Sequence, residues 1–177
     1  MIVPDFRARS WCDLVVSAMD RATWSDAEIV DAGYRVNQAV RRVREAEVCG
    51  DTLREVEAAI EDARRRAEAF FGLRLDGNEA PRVLRYVSGG VYRRHRDCID
   101  DQAATFPRVI SVVLFLSTAG EGDGGVLRLH GVDGAHVSAP LDVRPNAGTL
   151  VAFPSGWLHE VLPVTGGVRD VVVDWLA

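Results

Sequence analysis

The chain has 177 residues, 47% of them hydrophobic, and a formal charge of −5 spread along its length. That suits one domain with a proper core and excludes the basic stripe of a nucleic-acid binder. All 21 basic residues are Arg, so Schiff-base chemistry, pyridoxal phosphate attachment and a P-loop lysine are excluded too.

The opening "MIVPDFRARSWCD" has no signal-peptide apolar core, and no apolar run approaches the roughly eighteen residues that span a bilayer. A soluble, cytoplasmic protein without membrane or nucleic-acid partners is expected. Residues 10–22 place Trp11, Leu14, Val15, Ala18 and Ala22 on one helical face, with Ser10 as N-cap. A longer helix is predicted over 52–71. Thr52 and Glu55 have capping-box spacing, Leu53, Val56, Ile60, Ala63, Ala67 and Phe70 form an apolar stripe, and Gly72 stands where a helix would end. Between these helices, residues 31–48 fit helix or strand equally, since Val36, Val40 and Val43 suit both. The run Arg64 to Arg66 reads as the solvated face of the long helix. Cys12, Cys49 and Cys98 are odd in number and irregularly spaced, as reduced thiols are.

After Pro81 the period shifts towards two. Short apolar runs separated by Gly and Pro follow: "RVLRYV", "GVYRRHRD", "RVISVVLFLS", "GGVLRLHG", "GTLVAF", "HEVLPV" and "RDVVVDWL". The expected fold is α+β, a double-stranded β-helix or jelly roll carrying N-terminal helices, within a single domain over 1–177. In that division 1–80 are mainly helical support and 81–177 form the jelly-roll core.

Strand geometry makes one short segment stand out. In "YRRHRD" the i, i+2 spacing puts His95 and Asp97 on one face and turns Arg94 and Arg96 away. One imidazole and one carboxylate do not fill a metal's inner sphere. A second His from another strand would complete the two-His, one-carboxylate set that suits non-haem Fe(II), and His159 is the candidate. In "RDVVVDWLA", Arg169 shares a face with Val171, Val173 and Trp175, opposite Asp170, Val172 and Asp174. A guanidinium among apolar residues needs a partner, and a ligand carboxylate matches its planar fork of donors. His130 and His136 flank "HGVDGAH" and read as exposed loop residues. Cys98, beside Asp97, reads as a packing residue.

These motifs together resemble the Fe(II)- and 2-oxoglutarate-dependent oxygenases, in particular the prolyl 4-hydroxylase-like branch. The resemblance rests on Tyr86, Gly89, Tyr92, His95, Asp97, the run Gly124-Gly125-Val126-Leu127, His159, "PVTGGVR" ending at Arg169, and Trp175, and it covers residues 81–177. It implies iron ligation by His95, Asp97 and His159, and pairing of Arg169 with the distal carboxylate of 2-oxoglutarate, with Tyr86 as hydroxyl partner. Tyr92 falls where family members line the substrate pocket. The implied cofactors are Fe(II), 2-oxoglutarate as co-substrate and O2, with ascorbate as a stimulant. Asp97 disfavours halogenation, because related halogenases carry Gly or Ala there. The leading expectation is hydroxylation of a small molecule, a free or carrier-bound amino acid or peptide-like metabolite, with release of succinate and CO2. Prolyl hydroxylation of protein or peptide is the alternative enzyme reading, and a non-catalytic 2-oxoglutarate or oxygen sensor, or a cupin-like binding module, is the third.

Overall fold

In the computed structural model the described residues are 1–27, 29–30, 34–98, 107–131 and 139–177. In chain order they form β1 (Ile2–Val3), α1 (Arg9–Met19), β2 (Thr23–Asp26), β3 (Ile29–Val30), β4 (Tyr34–Arg35), β5 (Arg41–Arg42), β6 (Arg44–Glu47) and α2 (Gly50–Phe71). There follow β7 (Arg82–Tyr86), β8 (Val91–His95), β9 (Ile110–Phe115), β10 (Leu127–Gly131), β11 (Leu141–Val143), β12 (Leu150–Pro154), β13 (Leu158–Val161) and β14 (Arg169–Leu176). Among these residues a seven-stranded sheet runs β1-β12-β9-β14-β7-β6-β2, a five-stranded sheet runs β11-β10-β13-β8-β5, and β3 pairs with β4.

Strands β9 and β14 are buried along almost their whole length because both of their faces are covered. Ile110, Val112 and Leu114 of β9, with Val172 and Leu176 of β14, face the helices and join Cys12, Val15 and Met19 of α1 and Val56, Ile60, Ala63 and Ala67 of α2. Their neighbours Val113, Phe115 and Val171 point the other way. There they meet Leu84, Leu127, Phe153 and Val161 in a second core between the sheets. The result is three layers, helices on a large sheet on a small sheet, and the expected helix-backed jelly roll is the observed architecture. No helix among the described residues is long and apolar enough to cross a membrane.

The N-terminal half departs from expectation in detail. α1 starts at Arg9 with Ala8 as N-cap rather than Ser10, and its buried set is Cys12, Val15 and Met19, while Leu14 is 48% exposed. The small, apolar Cys12 takes the place that a wheel drawn on large residues gives to Leu14. α2 starts two residues early, at Gly50, with Cys49 as N-cap and no side-chain cap, so the Thr52–Glu55 box is not used as one. Its stripe runs through Ala59 and excludes Phe70, which is 62% exposed. Gly72 does end the helix, in the left-handed region at φ 65°, its N–H returning to Glu68 O. Arg65 and Arg66 are exposed, but Arg64 is half-buried. It binds Glu61 and Glu68 and donates to Leu75 O at 2.8 Å, stapling the segment after the helix.

Within 31–48 the described residues choose strand. β6 joins the large sheet against β7, β5 joins the small sheet against β8, and Val43 enters the inter-sheet core. The first eighty residues therefore add strands to both sheets besides the two helices, more than helical support. His130 is a strand residue of β10, its Nε2 2.8 Å from Glu160, and not part of an exposed loop. His136 lies outside the described residues.

On the helix side of β14, Asp170 accepts a bidentate pair from Arg85 at 2.7 and 2.8 Å. Among the described residues no cation pairs with Asp174. It accepts from Asn78 at 2.6 Å, the Trp175 amide at 2.7 Å and the Ala80 amide at 3.2 Å. Burial pushes its carboxyl up to about 6, the hydrogen bonds from Asn78, Trp175 and Ala80 partly oppose this, and Glu79 adds repulsion. A proton held more tightly when folded than when unfolded means that Asp174's contribution is fully present below about pH 4 and is lost as pH rises through about 6. Asp174→Asn should therefore be more stable than the parent at pH 7.5, by about 2 kcal/mol, with much of that advantage gone at pH 4.5. Urea unfolding at the two pH values measures it, and a variant weaker than the parent at pH 7.5 refutes it.

Candidate active site and metal centre

The small sheet sets two imidazoles face to face. β13 pairs antiparallel with β8 in a register that opposes His159 to His95, so both rings project from the same face into the space between the sheets. Their centroids lie 4.2 Å apart. His95 Nδ1 is 2.7 Å from Arg93 O, and His159 Nδ1 is 2.9 Å from Trp157 O. A carbonyl oxygen only accepts, so each Nδ1 carries the proton and each Nε2 is free to present its lone pair inwards. Tyr92 stacks on His95, with centroids 3.5 Å apart, and Phe153 meets His159 edge-on at 4.8 Å. Both rings are thus held in orientation as well as place.

Asp97 closes the triangle. One carboxylate oxygen is 3.3 Å from His95 Nε2, the other 3.3 Å from His159 Nε2, and the three potential ligand atoms lie within 4.8 Å of one another. Burial alone would raise the Asp97 carboxyl, but attraction to His159 and hydrogen bonds with both imidazoles hold it well below the usual range. Burial lowers His95, whereas at His159 burial, the largest single effect, is outweighed by the charge of Asp97 and the hydrogen bonds to Asp97 and the Trp157 carbonyl taken together, which raise it. A proton on either Nε2 competes with a metal for the same lone pair, so metal uptake would release it. Two imidazoles and one carboxylate on one side of a cavity could hold a divalent metal and leave its other positions open.

The opposite wall comes from β14 and β7. Arg169 is 2% exposed and stands opposite Tyr86 in the ladder, its guanidinium 4.8 Å from the Tyr86 ring centre and 5.2 Å from that of Phe115. These aromatic faces stabilise the cation partially. Its Nε, however, is buried with no hydrogen-bond partner, and no ion pair reaches Arg169 among the described residues. Burial lowers its pKa, with Tyr86 opposing. A buried, unsatisfied donor at the wall of a cavity suits a carboxylate ligand. The same cavity is lined by His95, Asp97 and His159 as well as by Tyr86, Tyr92 and Arg169.

Two glycines make room for this arrangement. Gly124 and Gly125 have φ of 73° and 67°, in the left-handed region. A Cβ on Gly124 would meet Pro163 O. One on Gly125 would come within 3.1 Å of Arg169 Cδ and 3.2 Å of Val164 Cγ2. Gly125 therefore borders the guanidinium's stem, which gives the Gly-Gly-x-Leu pattern a physical meaning.

Two imidazoles and a carboxylate that could hold a metal, facing a buried guanidinium with an unsatisfied Nε across a jelly roll, define the class, and comparison with known proteins agrees. The chain belongs to the 2OG-Fe(II) oxygenase superfamily, whose sequence model matches residues 81–177. It is an enzyme of the hydroxylase type within that family, which works with Fe(II), 2-oxoglutarate and O2. It is 33% identical to a PKHD-type hydroxylase of Stenotrophomonas maltophilia over 98% of this chain and 72% of the relative. A prolyl-4-hydroxylase from Pseudomonas putida has a crystal structure that matches with a TM-score of 0.75 and 26% identity, over 99% of this chain and 90% of that one. A prolyl hydroxylase from Trichoplax adhaerens, solved with a hypoxia inducible factor peptide fragment, matches in fold. Its TM-score is 0.80 at 20% identity, over 99% of this chain and 82% of its own.

The structure brings together all six residues singled out in the sequence, His95, Asp97, His159, Arg169, Tyr86 and Tyr92, around one cavity. Burial pushes the Tyr92 hydroxyl up to about 12, so it stays a neutral phenol at ordinary pH. Sequence reasoning missed Ser111, Ser155 and Arg41. Ser111 donates to Asp97 at 2.7 Å and meets the Ser155 hydroxyl at 2.9 Å, both groups being buried. A lone hydroxyl inside the otherwise apolar "ISVVLF" was a usable signal. Arg41, buried with its guanidinium 4.8 Å over Tyr92, sits in the segment whose periodicity was ambiguous. Because Gly125 borders Arg169, Gly125→Ala is expected to weaken 2-oxoglutarate binding about tenfold, through displacement of the guanidinium and strain at positive φ. Isothermal titration with 2-oxoglutarate reads this directly, and an unchanged affinity would remove Gly125 from the site.

Proposed function

We propose that this enzyme hydroxylates an unactivated C–H bond of a small molecule, a free or carrier-bound amino acid or peptide-like metabolite. In this reading His95, Asp97 and His159 ligate Fe(II), while Arg169 and Tyr86 receive the distal carboxylate of 2-oxoglutarate. The observation that carries it is the orphaned Nε of Arg169, buried on the cavity that the triad also lines. Bound together, Fe(II) and 2-oxoglutarate supply the oxidising chemistry: one oxygen atom of O2 enters the substrate C–H bond and the other enters succinate, with loss of CO2.

The chain's own residues arrange the reactants. The carbonyls of Arg93 and Trp157 hold the two imidazoles in the ligating tautomer. Tyr86 and Phe115 flank Arg169 and keep water from it, which strengthens its attraction for a carboxylate. Tyr92, stacked on His95, forms part of the wall offered to the substrate. Asp97 occupies the position that a halide would need, which favours hydroxylation over halogenation. Ascorbate would sustain turnover by returning iron to Fe(II). The three free thiols Cys12, Cys49 and Cys98 go with a reducing compartment, and the cytoplasm is the proposed location.

A second reading, hydroxylation of a prolyl residue in a peptide or protein, is favoured by the resemblance to the Pseudomonas putida prolyl-4-hydroxylase. Incubation with Fe(II), 2-oxoglutarate and panels of amino acids and proline-containing peptides decides between them, with succinate release and product mass as readouts. Gain of one oxygen on a small molecule supports the first reading, and gain on a peptide alone replaces it with the second.

His95→Ala, Asp97→Ala and His159→Ala should each abolish Fe(II)-dependent succinate formation while the circular dichroism spectrum stays native. Full activity with normal iron content in any one of them would remove that residue from the triad. Arg169→Ala should raise the 2-oxoglutarate requirement on the order of a hundredfold, the worth of a charge-assisted bidentate pair in a shielded site. Unaltered co-substrate affinity in that variant would make the Arg structural.

A further inference from the structure

Asp97 differs from the two His ligands in how it is held. His95 and His159 belong to strands and take their places from the β8–β13 ladder. β8 ends at His95, so Asp97 lies two residues beyond the ladder and must be fixed by other contacts. Three are visible besides the two imidazoles. Its amide donates to Ser155 O at 3.0 Å, and its carboxylate accepts from Ser111 Oγ at 2.7 Å, a hydroxyl tied in turn to Ser155 Oγ at 2.9 Å. The third comes from Arg108, whose Nη1 donates to the Asp97 carbonyl at 3.3 Å.

Arg108 is itself rigidly placed. Its Nε and Nη2 form a fork on Glu79 at 2.6 and 2.8 Å, and its guanidinium lies 3.8 Å from the centre of the Trp175 ring. Only 8% of its side chain is exposed. Next to it, the Val109 amide donates to Leu176 O at 2.7 Å, joining the same stretch to β14. A bidentate, stacked guanidinium has few alternative positions, so the donor aimed at Asp97 O is preorganised. Trp175 also lines the active-site cavity, so the clamp and the pocket wall share a side chain.

We propose that Arg108, locked by Glu79 and Trp175, is a positioning residue that sets the place of Asp97 and thereby the metal affinity of the site. Loss of the fork frees the backbone at Asp97 to move, and a carboxylate displaced from the two Nε2 atoms coordinates less well. Partners of this kind typically contribute tenfold to a hundredfold in metal affinity. The inference rests on the metal-triad reading given above.

Co(II) titration of the protein, followed by its visible absorption, tests the proposal in a double-mutant cycle. Arg108→Gln should lower Co(II) affinity about tenfold or more, and Arg108→Lys should recover part of it. Glu79→Gln, which keeps every side chain near its present volume, should give a smaller loss in the same direction. In the Asp97→Ala background, Arg108→Gln should change affinity less than about twofold, since the residue it acts through is gone. An unchanged Co(II) affinity in both Arg108→Gln and Glu79→Gln overturns the proposal, as does an equal loss with and without Asp97. If Arg108→Gln does not fold, the Glu79→Gln cycle decides alone. Failure of the parent protein to bind Co(II) would instead sink the triad reading, which separates the two.

Discussion

The antiparallel register between β8 and β13 is the constraint on which the site depends. It opposes His95 to His159, and because side chains alternate along a strand, a slip of one residue would turn one imidazole out to solvent. The slip is resisted from the β10 side, where Leu127 of β10 pairs with Val161 of β13 and both side chains help fill the core between the sheets. The packing that keeps the apolar face inwards thus keeps the two imidazoles inwards.

Strand β14 uses the same alternation to place charge. Its inward residues reach the inter-sheet space, where Arg169 lies between aromatic faces. Its outward residues reach the helix side, where Asp170 binds Arg85 and Asp174 accepts three hydrogen bonds. All three charged residues are buried, yet they are treated differently. Asp170 has a full ionic partner, Asp174 holds its proton more readily, and Arg169 retains an unsatisfied donor. Only the last faces the cavity. Unsatisfied polar capacity is expensive in a core and is retained where a ligand completes it.

Legibility from sequence followed the range of the interaction that decides each feature. The strands from β7 to β14 were readable because β-branched runs between Gly and Pro carry their own period, although the short β11 went unread. The end of α2 was readable because Gly72 supplies the left-handed conformation locally. The helix starts were not: Ser10 and the Thr52–Glu55 pair have capping chemistry, yet the chain enters each helix earlier, at Arg9 and Gly50, with no side-chain cap. His130 looked like a loop residue beside glycines and is instead held in β10 against Glu160, which lies on a strand distant in sequence.

The sequence by itself determined the chemistry: two His, one Asp, a buried-looking Arg and a Gly-Gly turn, at spacings that strand period and family resemblance make meaningful. Tertiary structure alone decided that these groups meet. The facing of His95 and His159 across the ladder, the hydroxyl pair of Ser111 and Ser155 behind Asp97, and the hold of Arg108 on the Asp97 backbone join separate stretches of the chain. No local period encodes such contacts. They arise only when two sheets stack and bring the ends of their strands to one cavity.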